Sequence, residues 1–127
     1  MQGIELQLPP SVNALHINMR GSYRRILSKE GREYIYTYSQ YVKKSLRDMS
    51  HVALDTYTHV DCYWYLPRKN CDSHNYEKGL WDMLQQAGFV TNDKYIMGRT
   101  QEVHFDSKNP RVIIQWEYEN KILVKKV

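Results

Sequence analysis

The chain has 127 residues, 42% of them hydrophobic, with three Trp, eleven Tyr and two Phe; that is enough to bury one core of moderate size and leaves no room for a second catalytic module. No run is long and apolar enough for a membrane span, and the opening Met1-Gln2-Gly3-Ile4-Glu5 lacks the basic and apolar regions of a secretory signal. A cytoplasmic protein with reduced thiols at Cys62 and Cys71 is therefore expected. The formal net charge of +4 is concentrated at one end: residues 1–50 carry eight Lys/Arg against four Asp/Glu, and the remainder ten against ten.

In chain order, Ile4, Leu6 and Leu8 alternate with Glu5 and Gln7, which predicts a half-buried strand stopped by Pro9-Pro10. Residues 11–27 read as an arm or loop with a short strand around residues 23–27. Arg20, Arg24, Arg25, Lys29 and Arg32 cluster there against the single acid Glu30, a patch that reads either as a solvated loop or as a surface for phosphate. Ser28 is placed to cap a helix running to about residue 49, with Ile35, Tyr38, Val42, Leu46 and Met49 at helical spacing.

From residue 56 to 66 the period changes to two, with Val60, Cys62, Trp64 and Leu66 on one face and His59, Asp61, Tyr63 and Tyr65 on the other. A second helix is predicted from about Asp72 or Ser73, carrying the stripe Tyr76, Leu80, Met83, Leu84 and Ala87 and closed by Gly88. Residues 95–105 and 112–118 read as strands joined by a turn through Asp106 to Pro110. The expected fold is a single α+β domain over residues 1–127, a mixed or mostly antiparallel sheet with two main helices packed on it.

The residues with chemistry lie between Arg68 and Asp93. Arg68, Lys69, Asp72 and His74 precede the second helix, and His74, Lys78 and Asp82 share a strip of it away from the apolar stripe. Asp93, after Asn92, stands in the turn beyond, and its carboxylate meets that of Asp72 if the ends of helix and strand converge. Paired carboxylates suit hard divalent cations, and a lysine close by could offset phosphate charge. Each residue also has an ordinary reading: Asp72 as a helix cap, Lys78 with Asp82 as an exposed ion pair, Asp93 as a turn former. Cys71-x-x-His74 lacks the second half of a zinc motif, Cys62 reads as core, and no Gly-rich phosphate loop is present.

Taken together, Arg68…Asp72-Ser73-His74-Asn75-Tyr76-Glu77-Lys78…Asp82…Leu84…Gly88…Asn92-Asp93 resembles the signature of the RusA family of Holliday junction resolvases. Leu8-Pro9-Pro10-Ser11-Val12-Asn13 and Leu27-Ser28-Lys29-Glu30-Gly31 are similar to that family's opening and first helix start. The resemblance implies a homodimeric, metal-dependent endodeoxyribonuclease that resolves four-way junctions by paired nicks, in a bacterial, prophage or phage setting. It implies that Asp72 and Asp93 bind Mg²⁺ and that Lys78 assists at the scissile phosphate, with Asp82 in support. Arg20, Arg24, Arg25, Lys29, Arg32, Arg68 and Lys69 are the candidate DNA contacts. His74 stands where the family pattern has an Asp, and Asn92 replaces the first Asp of the later pair. His74 reads either as a nitrogen ligand favouring Mn²⁺ over Mg²⁺ or as a group that hydrogen-bonds water or DNA. A branched-DNA binder that has lost catalysis, and a nuclease acting on forks or other recombination intermediates, are the alternatives.

Overall fold

The structure is a computed structural model that describes residues 2–18, 21 and 25–118. Strand β1 (Gln2–Gln7) stops before Pro9-Pro10, and a helical turn, α1 (Val12–Leu15), leads into a two-stranded ribbon of β2 (His16–Asn18) and β3 (Arg25–Leu27). The expected arm thus contains an antiparallel ribbon; Arg20 and Arg24 lie outside the described residues.

Helix α2 (Lys29–Asp48) starts at Ser28, whose side chain accepts from the Gly31 amide at 2.9 Å and donates to the Ala14 carbonyl at 2.6 Å. One hydroxyl therefore caps the helix and ties it to the base of the arm. There is no room at this junction for a side chain at position 31, because a Cβ there would lie 2.5 Å from the Leu15 carbonyl oxygen. Val42 and Leu46 are buried as predicted, while Ile35, Tyr38 and Met49 pack partly exposed at the core margin. Tyr34, outside the predicted stripe, is buried too and donates its hydroxyl to the Gln7 carbonyl at 2.9 Å, fastening α2 to β1.

Strand β4 (Thr58–Leu66) lies inside a four-stranded sheet of order β1-β6-β4-β5, with β5 (Ile96–Phe105) and β6 (Arg111–Tyr118) on its two sides. The pairs β1·β6 and β6·β4 are antiparallel and β4·β5 is parallel, so the sheet is mixed. The parallel pair is connected through a 3-10 turn (Ser73–Tyr76) and helix α3 (Glu77–Gln86), as a parallel connection requires. Gly88 takes φ +81° just past α3, a left-handed conformation suited to glycine and the expected helix stop.

The core joins Val60, Cys62, Trp64 and Leu66 of β4 to Leu80, Met83 and Leu84 of α3, with Ile4, Leu6, Val112 and Ile114 from the flanking strands. Burial pushes the Cys62 thiol up to about 12, so it is inert packing. Gly98 lets the sheet approach α3: a Cβ there would come within 2.5 Å of the Trp81 ring.

On the opposite face of β4, Asp61 is buried, 5% exposed. On the neighbouring strand β5, Arg99 meets it with Nε at 2.7 Å and Nη2 at 3.2 Å, and the Gln101 amide donates at 3.0 Å. Burial alone would raise the Asp61 carboxyl; the hydrogen bonds from Arg99 and Gln101, with the Arg99 charge, outweigh it and hold the group below the usual carboxylate range. Asp61→Ala should destabilise the fold by about 1–3 kcal/mol in urea denaturation, since it strands hydrogen-bond donors on β5. Because the folded carboxyl is the more acidic, its contribution is complete above the unfolded value of about 3.9 and is lost as pH falls through the folded one. The stability gap between native protein and Asp61→Asn should accordingly narrow below about pH 4, and a gap that widens there would contradict the pairing.

Candidate active site

Asp72 follows β4 and caps the 3-10 turn, its Oδ1 accepting from the His74 amide at 3.0 Å. The His74 ring is turned back onto the chain, with Nδ1 3.1 Å from Glu77 Oε1. A carboxylate on one ring nitrogen orients the imidazole and leaves Nε2 to meet a cation or a phosphate. Asp72 and His74 are both exposed, as are Arg68 and Lys69 in the preceding turn. Within that turn, a hydrogen bond with Tyr76 lowers the Cys71 thiol, aided by Arg68, and burial raises Tyr76 to about 12.

One turn along α3, Lys78 Nζ lies 3.0 Å from Asp82 Oδ1, with the lysine side chain 53% exposed. The Lys78–Asp82 part of the expected strip is therefore present on α3, with Lys78 half exposed, whereas His74 stands in the 3-10 turn before the helix and pairs with Glu77. Leu15 sits between α2 and α3, under Gly31 and Gly79, so the base of the arm borders this strip. A groove of about 390 Å³ between them is lined by His16, Leu27 and Ile35 on one side and Asp82, Gln85 and Gln86 on the other.

The candidate DNA contacts fall into two groups. Arg25, Lys29 and Arg32 are exposed where β3 enters α2; Lys29 is 3.9 Å from Glu33 and Arg32 donates to the Leu27 carbonyl at 3.0 Å. Arg68 and Lys69 stand at the other end of the strip, next to Asp72. Among the described residues, the candidate basic groups thus lie in two places, at the start of α2 and in the turn before Asp72.

Asp93 opens a 3-10 turn (Asp93–Tyr95) capped by Asn92, whose side chain accepts from the Lys94 amide at 2.9 Å. The Asp93 amide donates to Gln85 Oε1 at 2.9 Å, which pins the residue beside the last turn of α3. Asp72 lies before the first turn. The ten residues of α3 are about 15 Å long, whereas oxygens bound to one Mg²⁺ stand about 2.0–2.1 Å from it. Within one chain the ends of helix and strand do not converge, and Asp72 with His74 is separated from Asp93. Among the described residues, no three His, Cys, Asp or Glu side chains gather as a metal site. A single chain thus does not provide the fit that a divalent ion needs at the expected ligands.

Sequence reasoning missed the Asp61–Arg99–Gln101 cluster, and an acid on an alternating strand face was the available signal. Its role is structural, since Arg99 and Gln101 already engage the carboxylate. Arg111 is a second such tie: it contacts Glu5 at 3.1 Å and Asp106 at 2.9 Å and covers the Tyr65 ring at 3.7 Å.

Comparison with known proteins sets these features in a family. The sequence model described as Endodeoxyribonuclease RusA matches residues 9–117. The chain belongs to the RusA endodeoxyribonuclease family, and its class is that of an enzyme cutting DNA phosphodiester bonds within a strand. Two relatives, the crossover junction endodeoxyribonuclease RusA of Enterobacteria phage 82 and that of Shigella sonnei strain Ss046, are each 30% identical over 95 residues, covering 74% of this chain and 75% of theirs.

The Gln85 contact makes a local forecast. Gln85→Ala should speed hydrogen exchange at the Asp93 amide while changing global stability by less than about 1 kcal/mol, because the bond is exposed. Unchanged exchange at Asp93 would show that this contact does not hold the turn.

Proposed function

We propose that the protein is a homodimeric, metal-dependent junction nuclease that cuts four-way DNA by paired nicks, in a bacterial or phage setting. Asp72, His74 and Asp93 are its metal ligands, Lys78 acts at the scissile phosphate and Asp82 holds Lys78 in place. The observation that carries this reading is the position of the Lys78–Asp82 strip against the base of the basic arm, in a chain whose relatives are named crossover junction endodeoxyribonucleases.

Hydrolysis of a phosphodiester develops charge on the phosphate oxygens, and an ammonium group close by lowers the barrier when that charge appears. Asp82 directs Lys78 along the strip without burying it. Arg25, Lys29 and Arg32 on one side and Arg68 and Lys69 on the other are spaced to hold backbone phosphates, which fixes orientation without reading bases. The fit is to the shape of branched DNA rather than to a sequence. No helix among the described residues is long and apolar enough to cross a membrane.

His74 supports a second reading. Its ring already pairs with Glu77, and an imidazole supplies less charge than the carboxylate of the family pattern, so the chain could bind junctions without cutting them. A labelled synthetic junction incubated with and without Mg²⁺ or Mn²⁺ separates the two. Cleavage is expected; a shifted but intact junction under both metals would favour the binder. Asp72→Asn should slow cutting by on the order of a hundredfold or more with binding nearly intact. Lys78→Ala should lower rate more than affinity, and an effect on affinity alone would reduce Lys78 to a phosphate anchor.

If His74 is a ligand, the native protein should favour Mn²⁺ over Mg²⁺ more strongly than His74→Asp does, because Mg²⁺ prefers oxygen donors. The comparison is the ratio of initial cleavage rates in the two metals. An identical ratio for both proteins would remove His74 from the coordination sphere.

A further inference from the structure

The surplus of positive charge in residues 1–50 lies only partly in the arm. Three of the eight Lys and Arg residues there, Lys43, Lys44 and Arg47, stand in the last two turns of α2, and all three are exposed. Lys43 and Arg47 are four residues apart and share one strip of the helix, whereas Lys44 is turned about 100° away from Lys43. The strip faces a hollow of about 270 Å³ between the ends of α2 and α3, lined by Lys43, Leu46, Arg47, His51, Ala87 and Gly88. Its walls are firm. Leu46 and Ala87 are buried, and the His51 ring is held by donation from Nε2 to the Phe89 carbonyl at 3.0 Å and by stacking on Phe89 with centroids 5.2 Å apart.

The hollow carries charge of one sign. The groove beside the Lys78–Asp82 strip has Asp82 in its wall and the one at β1 has Glu5, but among the described residues no carboxylate lines this hollow. Lys78 is paired with Asp82 and Lys29 lies near Glu33, whereas neither Lys43 nor Arg47 has an ion-pair partner among the described residues. Arg47 complements the negative end of the α2 dipole. That role accounts for one cation at the helix end and leaves unexplained a second, one turn earlier, on the same hollow. Two unpaired cations beside each other repel, and a phosphate group between them turns the repulsion into two charge-assisted contacts.

The position of the hollow says which phosphate it meets. Lys43 follows Lys29 by fourteen residues on the same helix, about 21 Å along its axis, which matches about six base pairs of duplex DNA. The hollow also lies at the end of α3 where the Gln85 side chain holds the Asp93 amide. We propose that it is a further anchor for the DNA backbone, in which Lys43 and Arg47 clasp one phosphate of a duplex arm that runs along α2 from the basic start of that helix. The proposal rests on the junction-nuclease reading above and adds a contact outside the residues assigned to it. A phosphate on a polymer already held at Lys29 and Arg32 reaches the hollow at a high effective concentration, an advantage that a free phosphate ion lacks.

The test is binding of a labelled four-way junction, followed by fluorescence anisotropy over a range of salt concentrations without divalent metal. The double variant Lys43→Ala/Arg47→Ala should bind on the order of tenfold more weakly, and its log affinity should fall less steeply with log salt by about one, the amount expected for one phosphate contact. Lys44→Ala removes a neighbouring charge outside the hollow and should cost less affinity than Lys43→Ala. Unchanged affinity and slope in the double variant overturn the anchor, and junction cleavage by the native chain in Mg²⁺ or Mn²⁺ then leaves the nuclease reading standing. Equal losses in Lys44→Ala and Lys43→Ala overturn it as well, because charge in general and not the hollow is then responsible. A native chain that neither binds nor cuts junctions overturns the nuclease reading and the anchor together. In nuclear magnetic resonance, the side-chain signals of Arg47 and His51 should move when the junction is added; signals that move with inorganic phosphate and not with DNA would make this a free-anion site and sink the proposal.

Discussion

The parallel β4–α3–β5 unit is the constraint on which the rest of the structure depends. A parallel pair forces the chain to return along the full length of the strand, and the return is made by α3 over the sheet. Packing favours this arrangement strongly: Val60, Trp64 and Leu66 are buried below Leu80, Met83 and Leu84, and Gly98 admits Trp81 where a larger residue would not fit. The open face of the same pair is tied by Asp61 to Arg99 and Gln101. These contacts fix both ends of α3 in space, and the functional side chains inherit their positions from them.

That inheritance has a consequence for chemistry. One end of α3 presents Asp72, His74 and two cations; its exposed strip presents Lys78 and Asp82; its far end holds Asp93. A single copy thus displays the residues proposed for DNA cleavage along a line instead of around a point. The basic arm, anchored by Ser28 to the start of α2, borders the middle of that line, while Arg68 and Lys69 border its beginning. Such a surface is suited to a substrate with several backbone segments in different directions, because phosphates can be held at more than one place along the helix.

Much of the fold was legible in the sequence, for reasons that individual residues make plain. The period-two pattern from Val60 to Leu66 reported a strand because one face is buried against helices. Ser28 and Gly88 marked helix limits because each answers a backbone demand at a helix end. Less legible was Tyr34, which lies outside the stripe of α2 and is buried because its hydroxyl finds the Gln7 carbonyl. Asp61 read only as a member of the second face of β4; its partners are 38 and 40 residues away, beyond any local pattern. For the site, the Lys78–Asp82 pair followed from helical spacing alone, whereas His74 stands in the 3-10 turn before α3. The convergence of Asp72 and Asp93 did not follow, since it depends on whether the strands flanking α3 are parallel, and spacing carries no information about strand direction.

The central proposal is that the exposed Lys78–Asp82 strip of α3 works on the DNA backbone. It is tested most directly by single-turnover cleavage of a labelled four-way junction at saturating protein, native chain against Lys78→Ala. The account predicts a lower rate for Lys78→Ala with little change in affinity. Equal rates for the two proteins would contradict it.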